Sequence, residues 1–296
     1  MAVNQPPQNQ NEAIPGYQII GKLGSGGMGL VFKARDKNRR TVALKMLYPK
    51  FAANKASLDR FRREAELLIK FKHPNIVKGY HFGNAKGIYF LAMEYIDGHS
   101  VQDQIAEGRG FWADLPEESR SELIVNIILQ VTRALDYIEK QGILHRDIKP
   151  DNLLMTDEGV IKLCDLGFAQ PISSDKSAVS ETTSGTAAYM SPEQARGQAD
   201  LDIRSDIYAL GATFYHMVTG KMPFSGGDNM EVIAQVVLES LKSDEIKNRK
   251  FPPLLLYFIE KMMAKDKDIR YQTPAEIIED MEAQWNGFKS LEELNR

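Results

Sequence analysis

The chain has 296 residues, 43% of them hydrophobic and 26% charged, which is enough for one large apolar core or two modest ones. Its 37 Lys and Arg stand against 40 Asp and Glu, a net charge of −3, and this excludes a broad basic surface for nucleic acid as the main partner. The single cysteine, Cys164, excludes an internal disulfide framework and suits a reducing compartment. No run of about 20 apolar residues exists to span a bilayer, and the polar opening Met1–Glu12 lacks the apolar segment of a secretory signal.

Residues 1–14, with Asn, Gln and Pro and no apolar period, read as a flexible leader. Three strands follow at Tyr17–Leu23, Leu30–Arg35 and Arg40–Leu47, separated by a Gly-rich turn and by Asp36-Lys-Asn-Arg39, the pattern of an antiparallel meander. Lys55–Phe71 places Leu58, Phe61, Ala65 and Leu68 at helical steps, and His73-Pro74-Asn75 ends that helix. Further strands fit Ile76–Gly83 and Gly87–Glu94. Beyond Tyr95-Ile-Asp-Gly98 the period changes. Ile124, Ile127, Ile128, Val131, Leu135 and Ile138 form one stripe, so Leu123–Gln141 is a long buried helix stopped by Gly142. A hairpin fits Leu153–Met155 and Val160–Leu163, and later helices fit Ser205–Thr219, Asn229–Leu238, Leu254–Met263 and Thr273–Trp285. The last opens with Thr273 as cap, Pro274 at the first helical position and Glu276 three beyond the cap. The division is a β-rich lobe over 15–94, a hinge over 95–98 beginning from Glu94, a helical lobe over 99–288 and a tail over 289–296.

Gly24-Ser-Gly26-Gly-Met-Gly29 alone fits a dinucleotide fingerprint or an ordinary loop. The dinucleotide reading needs a helix next. Leu30-Val-Phe-Lys-Ala reads as a strand, so the glycines form a hairpin whose bare backbone can approach phosphates. In Val42-Ala43-Leu44-Lys45, alternation puts Ala43 and Lys45 on one strand face. Glu64 lies between Phe61 and Leu68, which directs its carboxylate toward an apolar face where it needs a cation.

The decisive segment is Ile143-Leu-His145-Arg146-Asp147-Ile-Lys149-Pro-Asp-Asn152, followed after a hairpin by Asp165-Leu166-Gly167. With the glycine loop, Lys45, Glu64 and Met190-Ser191-Pro192-Glu193 in the same order, the chain resembles the protein kinase superfamily, and within it the eukaryotic-like Ser/Thr kinases of bacteria. The resemblance runs from about Tyr17 to Trp285. It implies an α+β, bilobal fold: a small five-stranded N-lobe with one main helix and a larger helical C-lobe, one catalytic unit with ATP between them. It also implies transfer of the γ-phosphoryl group of ATP to Ser or Thr of protein substrates, with Mg²⁺ or alternatively Mn²⁺ as the metal.

The same resemblance assigns the residues. Gly24, Gly26, Gly29, Val31, Ala43, Met93 as gatekeeper, Glu94, Ile96 and Leu154 surround the nucleotide. Lys45 contacts its α- and β-phosphates and pairs with Glu64. Asp147 accepts or orients the substrate hydroxyl, Lys149 neutralises the transferred phosphoryl, and Asn152 and Asp165 hold the metal. Thr186 contacts the catalytic Asp and Lys, which favours a Ser/Thr substrate class. Glu193 pairs with Arg270, and Asp206 holds the catalytic-loop backbone. The hydroxyl-rich segment from Ser173 resembles an activation loop, with Thr182 and Thr183 as phosphosites, Arg146 as their cation and a second copy of the chain as the phosphorylating partner. His145 reads as structural and Cys164 as a small buried hydrophobe. Leu166, where the family more often has Phe, and Ser191, where it has Ala, are departures that leave the charged groups in place. The alternatives are a pseudokinase or nucleotide-binding scaffold of the same fold, a dinucleotide enzyme, and an unrelated regulatory module. The expected location is the cytoplasm, or the cytoplasmic face of a membrane if a longer chain supplies an anchor.

Overall fold

The computed structural model describes residues 14–106, 115–172, 186–241 and 251–294. They form two compact units divided between Asp97 and Gly98. The first carries a five-stranded antiparallel sheet of β1 (Tyr17–Ser25), β2 (Gly29–Asp36), β3 (Thr41–Leu47), β4 (Gly79–Ala85) and β5 (Ile88–Glu94), in the spatial order β1-β2-β3-β5-β4. Asp36 builds the β2–β3 turn: its Oδ1 accepts the backbone N–H groups of Asn38 and Arg40, both at 2.9 Å. Residues paired across antiparallel strands share a face, so the register sorts the sheet. Ala34, Val42, Leu44, Phe90 and Ala92 point one way and close a core with Ile14. Gly24, Val31, Ala43, Lys45, Leu91 and Met93 lie on the other.

A short helix, α1 (Pro49–Ala52), leads into α2 (Lys55–Lys70), which Asn54 caps by accepting the Ser57 N–H at 3.0 Å. Its buried stripe is Ser57, Phe61, Glu64, Ala65 and Leu68, and Phe61 meets Phe82 of β4 edge-on at 5.9 Å. The strand expected from Ile76 forms a continuous ladder only from Gly79, although Ile76 makes an isolated bridge and Lys78 O accepts the Glu94 N–H at 2.8 Å. The turn at His73-Pro74-Asn75 closes with Ile76 N donating to His73 O at 3.2 Å, which delays the regular pairing.

The second unit holds α3 (Val101–Ala106), α4 (Glu117–Lys140), α5 (Pro192–Ala195), α6 (Ile203–Thr219), α7 (Asn229–Leu238), α8 (Pro253–Met262) and α9 (Pro274–Leu294). Two small sheets accompany them: β6 (Gly98–Ser100), β8 (Leu153–Thr156) and β9 (Ile161–Leu163) in the order β6-β8-β9, and β7 (Ile143–Leu144) paired with β10 (Gln170–Pro171). α4 starts six residues before the expected Leu123, because its first turn is polar and carries no period. It stops where Gly142 turns left-handed at φ 71°. Every residue of α6 except Arg204 is buried, which makes it the core helix between α4 and α8.

α9 runs past the expected end at Trp285 and through most of the expected tail. Arg133 of α4 reaches Glu282 at 2.6 Å, Lys289 pairs with Glu122, and Trp285 stacks on Phe288 at 5.5 Å between ring centroids. Thr273 caps it as expected by accepting the Glu276 N–H at 3.3 Å, while the Glu276 carboxylate reaches back to Gln272 N at 2.7 Å. Among the described residues no helix is long and apolar enough to cross a membrane.

His216 on α6 is buried, hydrogen-bonded to the Tyr189 hydroxyl at 2.7 Å, and burial pushes its pKa down to about 4. An unfolded chain binds the proton at ordinary histidine values while the native state refuses it, so this group's contribution is complete above the ordinary value and is lost as pH falls toward about 4. Denaturant titrations at about pH 7.5 and about pH 4.5 should show about 2–3 kcal/mol less acid loss in His216→Gln than in wild type. Equal losses in the two proteins would refute the neutral buried imidazole.

Candidate active site

In the first unit, β3 and α2 bring two opposite charges together. Lys45 Nζ donates to Glu64 Oε1 at 2.7 Å and Oε2 at 2.9 Å, with the Glu64 side chain 4% exposed and that of Lys45 17%. The contact forms because Lys45 lies on the sheet face that α2 covers, and Glu64 interrupts an otherwise apolar helix stripe. Gly24, Val31, Ala43 and Met93 share that face with Lys45. The glycines divide by cause. A Cβ on Gly24 or Gly26 would meet nothing within 4 Å, whereas one on Gly29 would run into the Met46 carbonyl of β3. Gly29 is therefore required by the sheet itself, and open space flanks the loop at Gly24 and Gly26.

Past β5, Glu94 N donates to Lys78 O at 2.8 Å, and the Glu94 carboxylate accepts the Lys78 N–H at 3.1 Å. Sequence reasoning missed what holds the next residues. Lys33, two along from Val31, donates to the Tyr95 hydroxyl at 3.0 Å and sits 4.1 Å from its ring centroid, and Tyr95 donates to Asp97 at 2.9 Å. Half-buried Ile96 lies inside this bracket.

In the second unit, the loop after β7 hangs on one buried carboxylate. Asp206 Oδ2 accepts His145 N and Oδ1 accepts Arg146 N, both at 2.7 Å. Burial raises the Asp206 pKa, against the pull of His145, the two amide bonds and Arg146. Arg146 has φ 66°, a left-handed conformation that costs a non-glycine residue about 1–2 kcal/mol, and the pair of short bonds to Asp206 offsets it.

Asp147 follows, buried, with Lys149 Nζ 2.9 Å from its Oδ2 and 3.1 Å from its Oδ1. Asn152 Nδ2 donates to Asp147 O at 2.7 Å and Oδ2 at 3.0 Å. Two acceptors fix that end of the amide as nitrogen, so Oδ1 points away from Asp147. Cys164 N donates to Asn152 O at 3.0 Å, which brings the next residue, Asp165 at φ 58°, beside the same loop. Leu166 is fully buried, and half-buried Leu154 lies on β8. His145 is wholly buried, and its Nδ1 accepts Asp147 N at 3.3 Å.

The Glu193–Arg270 pair is bidentate, at 2.7 and 2.9 Å, and Ser205 donates to Glu193 at 2.8 Å. Burial pushes Glu193 up, but the Arg270 hydrogen bonds and charge outweigh it and hold the carboxyl below its ordinary value. Ser191 has a positive role that the sequence reading did not give it. Its Oγ accepts Gln194 N at 3.2 Å while Gln194 Oε1 accepts Ser191 N at 3.0 Å, and Gln194 Nε2 reaches Arg146 O at 3.4 Å. The Ser-x-x-Gln spacing was the available signal. Arg146 Nη1 donates to Gln170 Oε1 at 2.6 Å. Thr186 opens a 3-10 turn over Thr186–Tyr189, and Thr182 and Thr183 lie outside the described residues.

Residues 17–281 match the model of the protein kinase domain. The chain belongs to the protein kinase family. Its bilobal α+β architecture, a five-stranded sheet with a main helix followed by a larger helical unit, is that family's fold. It is 38% identical over 267 residues to a probable serine/threonine-protein kinase of Clostridium perfringens. It is 36% identical over 272 residues to the serine/threonine-protein kinase PknB of Mycolicibacterium smegmatis, and 35% over 280 residues to PrkC of Bacillus subtilis. These matches take in 90%, 90% and 94% of the chain but 38%, 42% and 41% of the respective relatives. The chain thus spans about two fifths of the length of the curated relatives it matches.

Removing one member of the Glu193–Arg270 pair strands a buried charge. Arg270→Leu should lower stability by about 3–5 kcal/mol in denaturant titration, and adding Glu193→Leu should recover part of it. Additive losses in the double variant would contradict a coupled pair.

Proposed function

We propose that the chain transfers the γ-phosphoryl group of ATP to Ser or Thr hydroxyls of proteins in a Mg²⁺-dependent reaction, with residues 15–288 as the catalytic domain and 95–98 as its hinge. The observation that carries this reading is the convergence of Lys149 and Asn152 on the Asp147 carboxylate, with Asp165 tied alongside through Cys164 and Asn152.

In this reading Asp147 takes the proton of the substrate hydroxyl as its oxygen bonds to the γ-phosphorus and the bridging oxygen leaves with ADP. Lys149, already held at Asp147, offsets charge on the moving phosphoryl group, and Lys45, fixed by Glu64, meets the α- and β-phosphates. Adenine lies against Val31, Ala43 and Met93 and takes the Glu94 carbonyl and the Ile96 backbone, since Glu94 N is engaged by Lys78. Gly24, Gly26 and Gly29 give the phosphates their backbone approach.

Asn152 Oδ1 and the Asp165 carboxylate would hold Mg²⁺. Both are hard oxygen donors, and a site of one carboxylate and one amide suits a cation that takes its remaining ligands from phosphate and water; Mn²⁺ fits the same donors. Among the described residues no group of three or more His, Cys, Asp and Glu is arranged to hold a metal ion. When bound, the metal supplies neutralisation of the phosphate charge. Thr186 supports the Ser/Thr class. Phosphate on Thr182 or Thr183, added by a second copy of the chain, would pair with Arg146 and activate the enzyme. The setting is cytoplasmic, or the cytoplasmic face of a membrane within a longer chain.

The test combines labelled ATP, Mg²⁺ and phosphosite mapping. Wild type should place label on Ser and Thr, including Thr182 or Thr183. Asp147→Asn should bind nucleotide with little change while transfer falls by about 10²-fold or more, whereas Asp165→Ala should lose metal-dependent nucleotide binding as well. Label on Tyr alone, or absent from wild type and variants alike, would defeat the reading and favour a nucleotide-binding scaffold.

A further inference from the structure

We infer that Gln130 on α4, a helix that carries none of the groups assigned to the chemistry, is a positioning residue for the two oxygen ligands of the metal; the inference rests on the reading of Asn152 and Asp165 given above. β9 is the edge strand of the β6-β8-β9 sheet. Its outer side is met by a side chain: Gln130 Nε2 donates to Gly159 O at 3.0 Å, and Gln130 Oε1 accepts Ile161 N at 2.8 Å. A carbonyl and an N–H two residues apart are the pair that a parallel strand would engage, so one amide stands in for a missing strand opposite Val160.

The anchored turn is stiff in its own right. Gly159 N donates to Thr156 O at 2.9 Å, Thr156 N to Val160 O at 3.0 Å, and Val160 N to Thr156 Oγ1 at 3.3 Å. At the other end of the same hairpin are the proposed ligands, Asn152 immediately before β8 and Asp165 two residues after β9, joined by Cys164 N on Asn152 O. The strands are short enough that the ends are about 10 Å apart, and a tilt of about 10° about the turn would shift the ligand end by roughly 2 Å. Mg²⁺ demands near-octahedral oxygens at about 2.1 Å, so an error of that size falls on metal binding before it falls on the fold, which buried Leu153, Ile161 and Leu163 also hold.

Gln130→Met keeps the length and loses both bonds. Gln130→Glu keeps the acceptor for Ile161 N but sets an oxygen against Gly159 O. Binding of Mn²⁺, followed by its paramagnetic resonance in the presence of a non-hydrolysable ATP analogue, should weaken on the order of 5–10-fold in both variants. Metal-free binding of the analogue should stay at the wild-type value. In turnover, half-saturating Mg²⁺ should rise by a similar factor, with kcat at saturating Mg²⁺ within about twofold. Unchanged Mn²⁺ affinity in folded variants, whatever their thermal stability, would overturn the positioning role. Wild-type protein that binds no Mn²⁺ with the analogue, or binds it equally after Asp165→Ala, would overturn the ligand assignment and this inference with it.

Discussion

The second unit is organised around a carboxylate that touches no reacting group. Asp206 sits inside α6, a helix buried on nearly all sides, and spends both oxygens on the backbone N–H groups of His145 and Arg146. Burying a charge is costly unless hydrogen bonds answer it, and the raised pKa of Asp206 records that cost. The return is a loop that holds Arg146 at φ 66° and so delivers Asp147, Lys149 and Asn152 in one orientation. Positions that cost backbone energy persist only where the surroundings over-determine them, and here a core helix does so.

Other contacts extend that frame outward. Gln194, fixed by its reciprocal bonds with Ser191, reaches the Arg146 carbonyl, and the neighbouring Glu193 is held by Arg270 and Ser205. Arg270 also donates to the carbonyls of Arg204 and Ala264, so a single guanidinium ties the segment around Glu193 to α6 and to the chain beyond α8. The first unit uses a simpler device. One ion pair, Lys45 to Glu64, links sheet and helix on the face that also carries Val31, Ala43 and Met93.

Much of this was legible in the sequence, for a physical reason. Glu64 was readable because a carboxylate between Phe61 and Leu68 cannot remain unpaired, and the stripe on α4 was readable because its buried positions repeat at the helical period. The misses differ in origin. The first turn of α4 is polar and carries no hydrophobic period, whereas α9 keeps its apolar step through Met281, Trp285 and Phe288, so the expected end at Trp285 cut a continuing helix short. Gly29 was read with the phosphates when the Met46 carbonyl already requires a glycine there. Ser191 was read as a neutral replacement for alanine, although three residues later Gln194 completes a capping box. Lys33 with Tyr95, and Gln130 with the β8–β9 turn, join residues too distant in sequence for any local pattern to reveal.

If the catalytic geometry depends on Asp206, the variant to examine is Asp206→Asn, which keeps the shape of the side chain and replaces one acceptor by a donor facing an N–H. Hydrogen exchange at the His145 and Arg146 amides should be measured alongside single-turnover phosphoryl transfer. Both amides should lose protection and transfer should fall by about 10²-fold or more, while α6 keeps its own protection. Transfer at the wild-type rate from a protein whose two amides exchange freely would contradict that dependence.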